Sequence, residues 1–174
     1  MTVFHTQESR KEILTEPLKC VRDDAWLGEA YYFWRDESDA DAWGNNSKKR
    51  TGYYEIYESI LKSDSYLDTV FNEEHYFFWI KQLEKIAKKI MIKTGEKPTL
   101  KELNDFIKDK AIWPEVDFVQ FQDLPINSEQ SLVKPIVYSG GRIRTVAFRK
   151  RIQIAVYNKI IISTFALKKT EKVL

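Results

Sequence analysis

A single cysteine, Cys20, stands in 174 residues, so no internal disulfide can staple this chain, and a reducing compartment is expected. Only two histidines accompany it. No Cys or His pair has the spacing of zinc ligands, so no metal site is assigned. No apolar run approaches the roughly 18 residues of a membrane span, and no N-terminal apolar core has the form of a secretory leader. The expectation is a soluble, cytoplasmic protein with no membrane partner. Glycines are few, six in all, and none builds a Gly-x-Gly-x-x-Gly, a Walker loop or a Gly-x-Ser-x-Gly elbow; His-Glu-x-x-His is missing as well.

What the chain has in quantity is aromatic side chains, 14% of residues, on an ordinary background of 43% hydrophobic and 31% charged. One domain over residues 1–174 is expected at this length. The stretch from Trp26 to Gly44 is rich in rings. Gly28 lets the backbone turn or approach a ligand closely, Ala30 to Trp34 reads as a short strand, and Ser38 to Trp43 reads as a helical segment with Ser38 as its N-cap. A strand that feeds a helix leaves helix-start amides and strand-end side chains facing one crevice, where such folds bind ligands. Clustered rings ordinarily pack a core; stacking on a planar heterocycle is their functional alternative.

Elsewhere the pattern changes twice. Thr2 to Thr6 reads as a strand carrying His5 near its end, followed by a helix from Ser9 to about Thr15 that stops before Pro17. Tyr53, Ile56, Tyr57 and Ile60 fall at helical spacing, Glu73 to Lys93 is the longest helical pattern, Gly95 ends it, and Thr99 with Glu102 makes a capping box for a further helix to about Lys110. The middle is therefore expected to be a helical insert over about 53–110. From Trp113 onward strands dominate: Val116 to Phe121, Arg142 to Phe148 after a Ser139-Gly140-Gly141 loop, and Arg151 to Tyr157. Asp123 to Asn127 reads as a turn, and Asn158-Lys159 as a two-residue hairpin turn into Ile160 to Leu167. Helices followed by sequential strands indicate an α+β fold with a mixed or antiparallel sheet.

Charge is uneven although the formal sum is only +2. The acids Asp23, Asp24, Glu29, Asp36, Glu37, Asp39 and Asp41 crowd one segment, while Arg142, Arg144, Arg149, Lys150 and Arg151 form a basic run that would attract phosphates or lie as a solvated edge.

Three short motifs, Phe4-His5-Thr6, then Leu27-Gly28-Glu29-Ala30-Tyr31-Tyr32-Phe33 with Ala40-Asp41-Ala42-Trp43 behind it, and finally Arg151-Ile152-Gln153-Ile154-Ala155-Val156-Tyr157, together resemble the motif strands of the ADP-ribosyltransferase fold. The likeness is to its poly(ADP-ribose) polymerase and diphtheria-toxin-like side, closest to small bacterial members. It covers the two ends of the chain and leaves residues 45–112 unmatched. The resemblance implies a split, mixed or antiparallel sheet and NAD as substrate. His5, Tyr32 and Gln153 would be the catalytic positions, and His5, Thr6, Gly28, Tyr32 and Trp43 the NAD-binding ones. In that family the histidine bonds the 2′-hydroxyl of the nicotinamide ribose, the next residue's backbone grips the carboxamide, and two rings sandwich nicotinamide.

Two departures from the family pattern bear on chemistry. A serine that binds the carboxamide is replaced by Ala40, and the third-motif glutamate by Gln153. A glutamine orients a hydroxyl but brings no negative charge to an oxocarbenium-like transition state. Either transfer needs less help, or a carboxylate such as Glu115, Asp117 or Asp123 supplies it, or the domain binds without catalysis. The resemblance implies a mono-ADP-ribosyltransferase acting on a macromolecular acceptor, protein or nucleic acid, of the kind found as toxins with an antitoxin partner or in phage defence. The alternative is an inactive module that holds a nucleotide, nucleic acid or partner protein.

Overall fold

The computed structural model describes residues 1–10, 12–48, 50–123, 136–145 and 149–174. In chain order the elements are β1 (Thr2–Glu8), β2 (Tyr31–Trp34), α1 (Glu37–Ser47), β3 (Tyr53–Leu61), β4 (Tyr66–Asp68), α2 (Glu73–Thr94) and α3 (Leu100–Asp109). After them come β5 (Phe118–Gln122), β6 (Ile136–Ser139), β7 (Arg142–Thr145), β8 (Ile152–Val156), a 3-10 turn at Lys159–Ile161, and β9 (Ile162–Lys172). Seven strands make one mixed sheet in the order β4-β5-β8-β2-β1-β3-β9, and β6 and β7 pair as a separate hairpin turning at Gly140-Gly141. Only β4 and β5 run parallel; the other neighbours within the large sheet are antiparallel. The fold class is α+β with a mixed sheet.

Two sets of helices cover one sheet face. α2 buries Trp79, Leu83 and Ile86, and α3 buries Leu103 and Ile107, against Leu67, Val119, Phe121 and Ala155. Fully removing an aliphatic side chain such as Leu83 from water contributes about 1.5–3 kcal/mol. Both helices have the expected ends: Asn72 accepts from the His75 amide, Gly95 takes the left-handed conformation at φ 77°, and Thr99 and Glu102 form a reciprocal capping box. α1 lies over the other half, packing Ala40 against Trp34, Tyr54 and Ile56. Its approach depends on Gly44, where a Cβ would come within 2.3 Å of the Tyr54 ring.

Several expectations are corrected. Among the described residues, 9, 10 and 12–15 are not helical, because their polar groups are drawn elsewhere: the Ser9 hydroxyl and Arg10 amide donate to Glu55, and the Leu14 amide donates to the Tyr57 hydroxyl. Tyr53–Leu61 is a strand despite its helical spacing. It lies between β1 and β9 with both faces covered, so residues of both parities are buried and the period of two is hidden. The insert expected over 53–110 is therefore helical only within Glu73–Asp109, since β3 and β4 belong to the sheet.

Asn158-Lys159 does not turn a hairpin. β8 is already flanked by β5 and β2, so the chain crosses over and β9 pairs with β3 at the far edge. The N-cap of α1 is Asp36, and the Ser38 hydroxyl instead accepts from Arg149. The turn expected at 123–127 and the end of the strand expected to reach Phe148 lie outside the described residues beyond Asp123 and Thr145.

Candidate functional site

The sheet is joined unevenly at its centre. β1 pairs with β3 through seven residues and β2 with β8 through four, but β1 meets β2 at one partner pair, Phe4 and Trp34. Beyond that pair the Tyr32 carbonyl accepts a hydrogen bond from the His5 ring at 2.8 Å. A side chain thus stands where a strand ladder would continue, and β1 and β2 part around it. A cavity of about 800 Å³ opens at this seam, within the size range of small-molecule sites.

Its walls include His5, Thr6, Tyr32, Trp43 and Gln153, five of the six positions named from the sequence. They come from β1, β2, the helix after β2, and β8. The strand order β8-β2-β1 makes the three motif strands neighbours. Much of the segment from Leu18 to Trp26 closes the cavity from outside, held by the Cys20 to Ala30 bridge. The sixth position, Gly28, does not line it. Gly28 has φ 74° and is buried against α3, where a Cβ would lie 2.4 Å from the Asp105 carboxylate. Its requirement is a turn and a helix contact.

The pairing register sorts the side chains by face. Tyr32, Trp34 and Gln153 share the helix-covered face with Thr6, whereas His5 belongs to the opposite face with Tyr57 and Phe33. The imidazole packs 5.6 Å from the Phe33 ring and 5.9 Å from Phe165. It reaches the cavity through the parting of β1 and β2. Burial holds its pKa down to about 4, opposed by the Tyr32 carbonyl and assisted by the charge of Lys48, so the ring is neutral at physiological pH. A carbonyl only accepts, so the ring proton is on Nδ1, and Nε2 is a buried acceptor without a partner among the described residues.

The other named residues are held firmly. The Thr6 hydroxyl donates to the Ala40 carbonyl at 2.9 Å, which ties β1 to α1. The Tyr32 hydroxyl accepts from the Leu27 amide at 3.0 Å and donates to the Gly28 carbonyl at 2.8 Å; burial raises its pKa. It is therefore a neutral ring on the cavity wall. The Trp43 ring centroid lies 5.7 Å from that of Trp34 and 5.8 Å from the central carbon of the Arg151 guanidinium.

Arg151 is the feature that sequence reasoning misjudged. Arg151, expected in an exposed basic run, is 7% exposed, lies 4.8 Å over Trp34, and forms an ion pair with Asp123. Its Nε has no partner among the described residues. The alternation of β8 was the available signal, since residues 151 and 153 fall on one face. Arg149 and Lys150 stay exposed, Lys150 donating to the Val70 carbonyl beside the Phe71 ring and Arg149 to the Ser38 hydroxyl, 3.6 Å from Asp39. Of the three carboxylates considered as substitutes for glutamate, Asp123 alone lines this cavity, already paired to Arg151. Asp117 lines a separate cavity of about 300 Å³ and accepts from Ser63 and Asn158, and Glu115 is exposed.

Among the described residues no group of three or more His, Cys, Asp or Glu could hold a metal ion, and no helix is long and apolar enough to cross a membrane. Compared with protein-family models, curated proteins and solved structures, the chain has no match.

Proposed function

We propose that the seam between β1 and β2 binds NAD and that the protein is a mono-ADP-ribosyltransferase acting on a macromolecular acceptor. The observation that carries this reading is the convergence of His5, Tyr32, Trp43 and Gln153 on one cavity, from three strands adjacent in the sheet and the helix that follows one of them. In this reading the neutral His5 accepts the ribose 2′-hydroxyl at Nε2, and the rings of Tyr32 and Trp43 flank nicotinamide. Gln153 holds a ribose hydroxyl. The bond from the anomeric carbon to nicotinamide breaks with its electron pair leaving on nicotinamide, and an acceptor oxygen, nitrogen or sulfur bonds the same carbon and loses a proton.

The weak point of the chemistry is charge. With Asp123 held by Arg151 and Asp24 by Arg22, no cavity carboxylate among the described residues is left unpaired to stabilise positive charge at the anomeric carbon. Polymer formation is disfavoured by the same lack. It also favours the second reading, a module that binds a nucleotide or partner without turnover.

The experiment uses purified protein, NAD labelled on the adenylate phosphate, and separate pools of cell protein, RNA and DNA. Label entering one pool with the wild type and not with His5→Ala supports the transferase and names its acceptor class. Absence of label from every pool, together with no release of nicotinamide, overturns transfer and leaves the binding module. If the protein acts as a toxin, its expression slows growth and His5→Ala restores it.

A further inference from the structure

Four cationic side chains line the seam cavity: Lys19, Arg22, Lys48 and Arg151. Three have carboxylate partners. Lys19 pairs with Glu29 at 2.7 Å, Arg22 with Asp24 at 2.5 Å, and Arg151 with Asp123. Lys48 has no carboxylate within ion-pair distance among the described residues, although it is half-buried. The acid whose charge acts on it, Glu8, is engaged elsewhere, its carboxylate accepting from the Thr51 amide at 2.6 Å and hydroxyl at 3.0 Å. A partly buried ammonium that is left unpaired is costly unless something else supplies the counter-charge.

Position adds to this. Lys48 is the C-cap of α1, the helix that carries Trp43, so its amine and the Trp43 ring enter the cavity from one rigid element. Its charge is felt by His5 on the facing strand, and the charges of Arg22 and Arg10 are felt by Lys48. Positive charge therefore collects at one part of the cavity wall. Burial and these like charges lower the Lys48 pKa, with Glu8 opposing, and a bound anion would reverse that tendency.

We propose that Lys48, with Arg22 at the rim beside it, is the anion subsite of this cavity and takes the diphosphate of a nucleotide ligand. The assignment rests on the NAD reading for its choice of a diphosphate, while the unpaired lysine stands on its own. Arg22 is mostly exposed and already paired, so its share is the smaller. Lys48 is a positioning residue: it holds the ligand's phosphates and does not touch the bond that breaks.

The test is calorimetry with ADP-ribose, inorganic pyrophosphate and nicotinamide as separate probes, on wild type, Lys48→Met and Lys48→Arg. Lys48→Met is expected to weaken ADP-ribose and pyrophosphate by about tenfold or more, the loss of one charge-assisted contact, and to leave nicotinamide unchanged. Lys48→Arg restores most of the loss, and the wild-type affinity for ADP-ribose falls as salt is raised. Equal ADP-ribose affinity in wild type and Lys48→Met, with both proteins folded by circular dichroism, overturns the proposal. The two readings fail separately: pyrophosphate binding that depends on Lys48 without any nicotinamide binding keeps the subsite and removes the transferase.

Discussion

The two histidines of the chain lie in two differently built halves of the molecule. His75, in the first turn of α2, accepts the Asp68 amide at Nδ1 at 3.1 Å, so its proton is on Nε2. His5 is the opposite tautomer, donating from Nδ1 and leaving Nε2 open. The contrast extends beyond the pair. Around α2 and α3 the polar groups are mostly closed, by Asn72, by the Thr99 and Glu102 box, and by Asp68 accepting from the Val70 and Phe71 amides; Trp79 Nε1 is the exception. At the seam, among the described residues, His5 Nε2 and Arg151 Nε are both buried without partners, and Asp39 nearby leaves one oxygen open with its pKa raised by burial. Each unmade bond costs about 1–3 kcal/mol. One half is built for cohesion; the other keeps hydrogen-bonding capacity that a ligand can use.

The largest test of this contrast is at the seam. Arg151→Met leaves the Asp123 carboxylate buried and alone, and is expected to lower unfolding stability by about 3–5 kcal/mol in urea titration, with the double change Arg151→Met and Asp123→Leu recovering most of it. A loss below about 1 kcal/mol would mean that the pair is solvated, as surface pairs are. In the helical half Leu83→Ala is expected to cost about 2–5 kcal/mol through lost burial and a cavity, while the imidazole signals of His5 stay where they are in the wild type. Movement of those signals would break the separation of the two halves.

Acid sharpens the comparison. His5 has its pKa held at about 4 in the folded protein against 6.5 for a free side chain, so between those values the unfolded chain binds the extra proton. Stability from this group is complete above pH 6.5, falls as pH drops toward 4, and amounts to about 3 kcal/mol at most. His5→Gln should flatten the stability profile of the wild type between pH 6.5 and 4, and a parallel profile would contradict the burial of His5. The smallest expected effect is Thr99→Ala, about 1 kcal/mol in melting experiments, because one capping bond at an exposed helix start is lost.

Local signals were legible where one element decides them. The Thr99 and Glu102 spacing, Gly95 as a helix stop and the long stripe of Trp79, Leu83 and Ile86 all depend on neighbours in sequence. β3 was not legible, because a strand buried on both faces has no period, and Tyr53, Ile56, Tyr57 and Ile60 imitate a helix. The path from β8 to β9 was hidden for another reason: no residue near Asn158 states that both edges of β8 are taken. At the site, His5, Thr6, Tyr32, Trp43 and Gln153 were found from their motifs and do share a cavity. Gly28 does not line that cavity, and a glycine in a turn looks alike in sequence whether a ligand or a helix approaches it. Arg151 looked like surface because a run of basic residues carries no mark of burial, and Lys48 carried no signal at all.

The account stands on the seam being where NAD binds, and the two imidazoles report on that directly. Long-range proton–nitrogen correlation spectra of uniformly labelled protein, recorded at neutral pH during titration with NAD, resolve both rings. The prediction is a neutral His5 protonated on Nδ1, whose Nε2 resonance moves in a saturable way as NAD is added, beside a His75 protonated on Nε2 that does not move. A His5 resonance unmoved at millimolar NAD, or two histidines that move alike, would contradict it.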